Sequence, residues 1–222
     1  MSSNDNLGNV STQQGKTKRL VLMAMLAAIS IVLVYFVRIP LVPAAPFLLY
    51  DMADVPVLLA AFMISPGAGL LVLFVVSVIQ AFLLGGNGII GLIMHFFASG
   101  ALILTAAGIY NALKPRKGAL IIGLVCGSLM MTLLMIPLNF IFTPKVMMDV
   151  PIGEAARIFI DGLKGGVDAS AYGEMTVGAY QAVKGLLLSG IIPFNLIKAG
   201  LNSAIFFVLF KSLRFIMDKR AS

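Results

Sequence analysis

Long apolar runs, separated by short polar breaks, are the feature that most constrains what this chain can fold into. The runs cover residues 20–37, 55–84, 90–113, 118–142 and 185–210. A helix of about 20 apolar residues, with a range of about 17–25, crosses the hydrocarbon core of a bilayer. Only 11% of the 222 residues are charged, whereas soluble proteins average about 25%. The sequence therefore predicts an integral membrane protein.

Two turns and a proline-rich stretch divide the apolar runs into spans. Residues 55–84 are too long for one helix, and "SPG" at residues 65–67 supplies a turn inside them. A second turn, "GGNGI", occupies residues 85–89. Three prolines between residues 40 and 46 exclude regular helix after the first span. The pattern predicts an all-α membrane protein, a bundle of six transmembrane helices.

The charges between the predicted spans indicate how the bundle is oriented. With six spans, the N-terminus, the turn at 65–67, residues 114–117 and the C-terminus share one side. The basic residues on that side are Lys16, Lys18, Arg19, Lys114, Arg116, Lys117, Lys211, Arg214, Lys219 and Arg220. Because cytoplasmic loops carry an excess of lysine and arginine, both termini are predicted to be cytoplasmic. This topology explains the net charge of +7 better than nucleic-acid binding, since no basic patch is interleaved with aromatic residues.

The predicted outer segment, residues 143–184, contains its own helical pattern. One helical face is formed by Ile152, Ala156, Phe159, Ile160 and Leu163. Such a face predicts a short amphipathic helix. The helix would lie in the membrane interface or, alternatively, cover a cavity mouth, and the interfacial position is favoured.

Three polar side chains interrupt the sixth apolar run. Asn195, Lys198 and Asn202 are spaced i, i+3, i+7 and therefore share a helical face. An ionisable side chain at the centre of a membrane helix costs about 2.5–3.5 kcal/mol on insertion scales and usually faces a cavity or a partner. Lys198 is therefore a candidate for ligand binding, with an ion pair to Asp51 or Asp54 as the structural alternative. Asn202 is assigned to helix packing.

Single polar residues also occur in the other spans. Asn139 lies beside Pro137 in the fifth span, and His95 lies in the fourth. Asparagine in a membrane helix commonly bonds one helix to another, which is the alternative to a ligand contact for Asn139. His95 is the only histidine, so packing explains it better than metal ligation. We expect no metal site.

Motifs of the common nucleotide and hydrolytic enzymes are absent from the sequence. It contains no G-x-x-x-x-G-K-[ST], H-E-x-x-H or G-x-S-x-G motif, so ATP hydrolysis is excluded and catalysis is not expected. Asparagine amides donate and accept hydrogen bonds together, which suits a neutral or weakly acidic planar ligand. The aromatic residues that could face such a ring are Phe47, Tyr50, Phe140 and Phe194.

Several stretches of the chain resemble a known family. They are "FLLYDMADVPVLLAAF" with "SPGAGLLV", then "HFFASGALILTA" and "SGIIPFNLIKAG". They are similar to the substrate-binding S components of energy-coupling factor (ECF) vitamin transporters, most closely the riboflavin-specific members, over most of residues 20–213. The resemblance implies a bacterial membrane protein that captures riboflavin from outside, as a transported ligand and not a cofactor. It would dock onto a transmembrane coupling subunit driven by two ATPases.

The resemblance also implies roles for individual residues. The candidate vitamin site consists of Leu49, Tyr50, Asp51, His95, Asn139, Asn195 and Lys198. His95 stands where the family is expected to carry an amide, so it is a departure from the pattern. Ala24 and Ala28 form an A-x-x-x-A pair in the first helix and would contact the coupling subunit.

The domain organisation follows from the predicted spans and the resemblance. Residues 1–19 form a polar cytoplasmic tail, residues 20–213 a six-helix substrate-binding domain, and residues 214–222 a basic cytoplasmic tail. Residues 143–184 form a longer outer segment than the family leads us to expect, either a cap on the pocket or an insertion.

Two alternative functions stay open at this point. The first is an S component for another vitamin such as thiamine, biotin or pantothenate. Thiamine ranks lower because a cation favours aromatic and acidic partners, whereas this chain has no tryptophan and places a lysine in the candidate site. The second is a self-sufficient ion-coupled small-molecule transporter, which would normally show intramembrane acids or a repeat with broken helices.

Overall fold

The computed structural model describes residues 3–221, with side chains for residues 15–216 and Lys219. Within that part of the chain, five helical segments are long and apolar enough to cross a membrane. They are Gly15–Phe36, Pro66–Leu83, Gly88–Leu113, Ala119–Met148 and Glu174–Ile216. A sixth apolar helix, Asp54–Met63, has ten residues and is about 15 Å long, half the thickness of the hydrocarbon core. The helical membrane fold is therefore confirmed, whereas the count of six spans depends on this short helix.

The elements follow one another in an almost entirely helical order. They are α1 (Ser3–Phe36), β1 (Ile39–Pro40), β2 (Leu49–Tyr50), α2 (Asp54–Met63), α3 (Pro66–Leu83), α4 (Gly88–Leu113), α5 (Ala119–Met148), α6 (Ile152–Lys164), α7 (Glu174–Leu186) and α8 (Ile192–Ala221). A 3-10 turn, Ala169–Ala171, precedes α7, and a π-helical turn, Leu187–Ile191, joins α7 to α8. The polar N-terminal stretch from Ser3 onward thus continues into the first span as one helix.

The breaks between helices lie at the residues that the turn chemistry predicts. Ser65 ends the connection between α2 and α3, where its side chain accepts the N–H of Ala68 at 3.1 Å and Pro66 takes the first helical position. The proline-rich loop forms a two-stranded antiparallel hairpin in which Ile39 pairs with Tyr50. This hairpin places the residues that follow Tyr50 against the bundle.

Helices α4 and α5 approach each other closely because glycines face the neighbouring backbone. A Cβ atom added to Gly123 would lie 2.6 Å from the carbonyl oxygen of Ala106, and one added to Gly127 would lie 2.6 Å from that of Leu102. Small residues allow this separation in membrane helices, where van der Waals packing drives association. Helix α5 of this closely packed pair also packs against α8.

Helix α5 is longer than the hydropathy pattern predicts. The expected end was near residue 142, but the helix continues to Met148 and includes Pro144. Pro144 has no backbone N–H to donate, yet the helix continues beyond it for a further turn. It ends at Asp149, which adopts the left-handed conformation at φ 57° and donates its N–H to Lys145 O.

The amphipathic helix predicted in the outer segment is α6, but its buried face differs from the predicted one. Ala155 and Ile158 are each 1% exposed, whereas Leu163 is 71% exposed. Phe159 stacks on Phe140 of α5 at 4.8 Å between ring centroids. The apolar side of α6 is therefore divided into one stripe that packs on the bundle and one that stays exposed, a division that helical periodicity cannot resolve. The role of residues 143–184 as a cap stays a prediction.

Candidate functional site

Lys198 of α8 forms an ion pair with Asp51 inside the bundle. Its Nζ donates to Oδ2 of Asp51 at 2.8 Å, and the two side chains are 8% and 5% exposed. Asp51 directly follows β2, and its other oxygen accepts the N–H of Ala53 at 3.1 Å. The ion pair that the sequence left as a structural alternative is therefore present. It places the lysine charge in the protein interior and away from lipid.

Asn202 joins the same region to α2 and to the hairpin. Its Nδ2 donates to Oδ2 of Asp54 at 3.1 Å and to the backbone oxygen of Asp51 at 3.3 Å. Its Oδ1 accepts the hydroxyl of Tyr50 at 3.0 Å. Burial, reinforced by the Asp51 carboxylate, raises the pKa of Tyr50, so this hydroxyl stays protonated and can donate. Asn202 therefore joins α8 to α2, which agrees with the predicted packing role, and it also lies at the centre of these polar groups.

His95 of α4 lies at the far side of this group of residues. Its Nε2 is 3.6 Å from Oδ1 of Asp54, longer than a hydrogen bond. Its Nδ1 lies 2.9 Å from the hydroxyl of Ser77 in α3. The residues connected in this way are called the polar cluster below: Tyr50, Asp51, Asp54, His95, Lys198 and Asn202.

Several buried polar atoms in and around the polar cluster have no hydrogen-bond partner in the described chain. They are Oδ1 of Asp54, Oε1 of Gln80, Nε2 of His95, Oγ of Ser99 and Oδ1 of Asn195. An unsatisfied buried donor or acceptor costs about 1–3 kcal/mol. Since Oδ1 of Asp54 and Nε2 of His95 face each other at 3.6 Å, the acceptors most open to a bound molecule are Oδ1 of Asn195 and Oε1 of Gln80.

The two other predicted asparagines bond within their own helices. Nδ2 of Asn139 donates to Met135 O, and Nδ2 of Asn195 donates to Ile191 O, each at 2.8 Å. Oδ1 of Asn139 accepts the hydroxyl of Thr143, whereas Oδ1 of Asn195 is unpartnered. Both asparagines are buried. Asn195 therefore offers a free acceptor one helical turn from Lys198.

The remaining predicted residues lie in different surroundings. Leu49, in β2, is 41% exposed. Phe194 packs with Tyr50 against the hairpin, and Phe140 packs with α6 and α7. Phe47 is 47% exposed. The structure thus brings Tyr50, Asp51, His95 and Lys198 into one cluster, with Asn195 beside it, and does not connect Leu49 or Asn139 to it by hydrogen bonds.

Asp54 and the small hydroxyl residues were missing from the predicted site. Asp54 could have been found, because its position after the proline-rich loop already made it a possible partner of Lys198. Asn202 carried the same signal through its spacing from Lys198. Ser77 and Ser99 carried none, since a serine in a membrane helix is common and bonds either to its own backbone or to another helix.

The predicted docking residues lie on an exposed face of α1. Ala24 and Ala28 are both exposed, and the larger apolar residues around them are also open, including Val21 at 52% and Ile29 at 48%. Small residues flanked by apolar ones let a second helix approach closely.

Comparison with known proteins places this geometry in a family. Residues 18–210 match the family described as "ECF transporter, substrate-specific component". The chain is 31% identical over 199 residues to the riboflavin transporter RibU of Staphylococcus aureus (strain TCH60), covering 89% of this chain and 91% of that one. It is 28% identical over 209 residues to the riboflavin transporter FmnP of Bacillus subtilis (strain 168), covering 93% and 97%.

A solved structure agrees with these relatives. It is described as the S component of a bacterial ECF transporter, and it superimposes with a TM-score of 0.64 at 30% identity over 91% of this chain and 98% of that one. The apolar helices and these relatives together define a multi-pass bacterial membrane protein that transports and does not catalyse a reaction. The chain belongs to the substrate-specific components of ECF transporters.

Proposed function

We propose that this protein is the high-affinity riboflavin-binding subunit of an ATP-driven ECF uptake transporter. It captures the vitamin at the outer face of the membrane and delivers it through a coupling subunit. The observation that carries this proposal is the buried Lys198–Asp51 pair, with the unpartnered Oδ1 of Asn195 one turn away. Relatives named riboflavin transporters support the choice of vitamin.

The chemistry of the flavin ring suits these groups. Its imide edge presents one N–H donor between two carbonyl acceptors. Oδ1 of Asn195 would accept the N–H, and Lys198, whose ammonium has three donors, would donate to a carbonyl while it keeps its bond to Asp51. The remaining proposed site residues are Leu49, Tyr50, His95 and Asn139.

The topology that fits this function has six spans with both termini in the cytoplasm. In that arrangement α2, together with its connections, forms the second of the six spans, although the helix itself has only ten residues. The hairpin, the start of α4 and the segment with α6 and α7 then lie on the outer side, next to the polar cluster. The excess of lysine and arginine at the opposite end supports this orientation.

The partners of this chain are a transmembrane coupling subunit and two ATPase subunits. The chain has no phosphate-binding loop of its own, so energy from ATP has to reach it through contact. The exposed face of α1 with Ala24 and Ala28 is the proposed contact. Changing both alanines to leucine should reduce uptake by the assembled complex and leave riboflavin binding by the isolated subunit unchanged. Normal uptake by that variant would refute the contact.

Ligand binding tests the function directly. The purified full chain should quench flavin fluorescence on titration with riboflavin, and protein from a host that contains riboflavin should be yellow. A displacement panel of thiamine, biotin, pantothenate and phosphorylated riboflavin identifies the preferred ligand. Tighter binding of another vitamin would replace riboflavin in the proposal.

Reconstitution separates the proposal from self-sufficient transport. Proteoliposomes that contain only this subunit should bind riboflavin without accumulating it. Accumulation driven by an ion gradient, in the absence of the coupling subunit and the ATPases, would favour the ion-coupled alternative.

A further inference from the structure

A cleft of about 810 Å³ opens at the basic end of the bundle, away from the polar cluster. It lies where α2, α4 and α8 meet the start of α5. Its aromatic lining residues are Phe62, Tyr110, Phe210 and Phe215. None of the residues that line it is acidic, so the lining carries only positive charge.

Four cations line this cleft: Lys114, Arg116, Lys211 and Arg214. Among the described residues, none of the four forms an ion pair with a carboxylate. Nη1 of Arg214 donates to the Tyr110 hydroxyl at 3.0 Å, and Nζ of Lys114 lies 4.2 Å from the Tyr110 ring centroid. Tyr110 thus holds two of the cations at the cleft without neutralising them.

Aromatic and apolar side chains form the rest of the cleft and its surroundings. Phe62 lies 5.3 Å from Tyr110 and 5.7 Å from Phe210, between ring centroids. Phe215 and Met63, both on the cleft wall, are 70% and 37% exposed. Exposed apolar residues beside a cationic cleft place it at the boundary between hydrocarbon and water.

We propose that this cleft binds the phosphate headgroup of an anionic phospholipid, with phosphatidylglycerol as the representative ligand. The four cations would hold the phosphate, and the acyl chains would lie along the exposed apolar surface beside it. Basic pockets between membrane helices are suited to such headgroups. The site is separate from the vitamin site and adds a lipid ligand to the proposed function.

Charge and position favour a lipid over an acidic protein segment. The face proposed for the coupling subunit is on α1, which contributes no residue to this cleft. A soluble anion would use the cations but not the exposed Phe215 and Met63. A membrane lipid uses both, because its headgroup and chains are joined.

The test is titration of the purified full chain in neutral detergent with phosphatidylglycerol or phosphatidylcholine, read by native mass spectrometry and thermal stability. The variant is Arg116→Gln with Lys211→Gln, because both side chains are exposed. The control, Lys16→Gln with Lys18→Gln, removes two charges from the same end outside the cleft. At about 1 kcal/mol per cation, the cleft variant should bind phosphatidylglycerol about 30-fold more weakly, and the control should bind as the parent does.

Two further additions identify the source of the phosphate group. Inorganic phosphate and a polyglutamate peptide should not compete with phosphatidylglycerol at concentrations well above that of the lipid. Equal binding of the two lipids, equal weakening in both variants, or competition by either soluble anion would overturn the proposal. Circular dichroism checks the fold of each variant, and Arg116→Gln alone serves if the double variant is unstable. This experiment contains no riboflavin, so its outcome is independent of the outcome of the vitamin-binding test.

Discussion

The two ends of the α2–α8 interface are built from opposite chemistry. Lys198, Asn202, Phe206 and Phe210 follow at four-residue intervals on one face of α8, and all are buried. At one end Asn202 bonds to Asp54 of α2. At the other end the ring of Phe206 lies 4.9 Å from that of Phe62 in α2. One helix pair thus carries an ionic cluster and an aromatic cluster, two turns apart.

The difference indicates which end holds the two helices together and which end is available for the vitamin. Between the two helices the aromatic end is filled by mutual ring contacts, with Phe206 fully buried and stacked on Phe210 at 5.3 Å, and the basic cleft opens beyond them toward the membrane surface. At the polar end, Oδ1 of Asn195 has no hydrogen-bond partner in the described chain. The aromatic contacts are therefore assigned to stability alone, whereas the polar cluster is assigned to vitamin recognition and contains an ion pair whose disruption also destabilises the fold.

The largest effect is expected from breaking the ion pair at the polar end. Lys198→Met should lower the free energy of unfolding in detergent by about 3–5 kcal/mol, because it leaves the Asp51 carboxylate buried without its cation. Denaturant titration followed by circular dichroism measures this loss. Lys211→Met, on an exposed position of the same helix, should change stability by less than about 0.5 kcal/mol.

A second variant separates stability from recognition in this pair. Lys198→Met combined with Asp51→Asn should regain most of the lost stability, since no uncompensated charge remains, but should still bind riboflavin weakly. An unchanged stability in the single variant would show that water reaches the pair. The Lys198–Asp51 pair would then contribute no more to stability than a surface ion pair does.

A substitution at the aromatic end should lower stability and leave riboflavin binding nearly unchanged. Phe206→Ala should cost about 3 kcal/mol through the lost burial and the cavity that remains. Its effect on the riboflavin dissociation constant of the folded protein should be less than about twofold, since distant sites behave independently. Thermal unfolding and flavin fluorescence measure the two quantities. Phe215→Ala, at a position 70% exposed, is the matched control, and a large loss of affinity in Phe206→Ala would mean that the two ends are coupled.

Asn195 should show the reverse behaviour. Asn195→Ala should weaken riboflavin binding by about 1–3 kcal/mol, because a buried hydrogen bond to the ligand is lost, with a smaller change in stability. Ser189→Ala, at an exposed polar position six residues earlier in the chain, controls for local effects before Pro193. Equal affinities in the two variants would remove Asn195 from the site.

The smallest effect is expected from one hydroxyl of the polar cluster. Tyr50→Phe removes the donor to Asn202 and should cost about 1 kcal/mol of stability. The matched Tyr35→Phe change, at a position 64% exposed, should cost nothing measurable. Calorimetric unfolding of both variants compares them, and equal values would mean that the cluster tolerates an open acceptor at Asn202.

Hydropathy and turn chemistry alone predicted most of the helices and their breaks. The predicted fourth span, residues 90–113, is the helix Gly88–Leu113, and the turn at residues 65–67 separates α2 from α3. These features are local, because transfer of a segment into hydrocarbon and the conformation of a proline or glycine depend on few neighbours. The same reasoning marked Lys198 as facing a cavity or a partner, since an ammonium is costly in lipid, and it favoured ligand binding over the ion pair with Asp51 or Asp54.

Only the tertiary structure decided what each polar residue meets. The i, i+3, i+7 spacing placed Asn195, Lys198 and Asn202 on one face, but it did not rank them, and Asn202 proved to be the most connected. Asp51 reaches Lys198 across 147 positions of sequence, because the hairpin folds back onto the bundle. The rotation of α8 and the path of that hairpin result from packing between distant segments, and no local pattern contains that information.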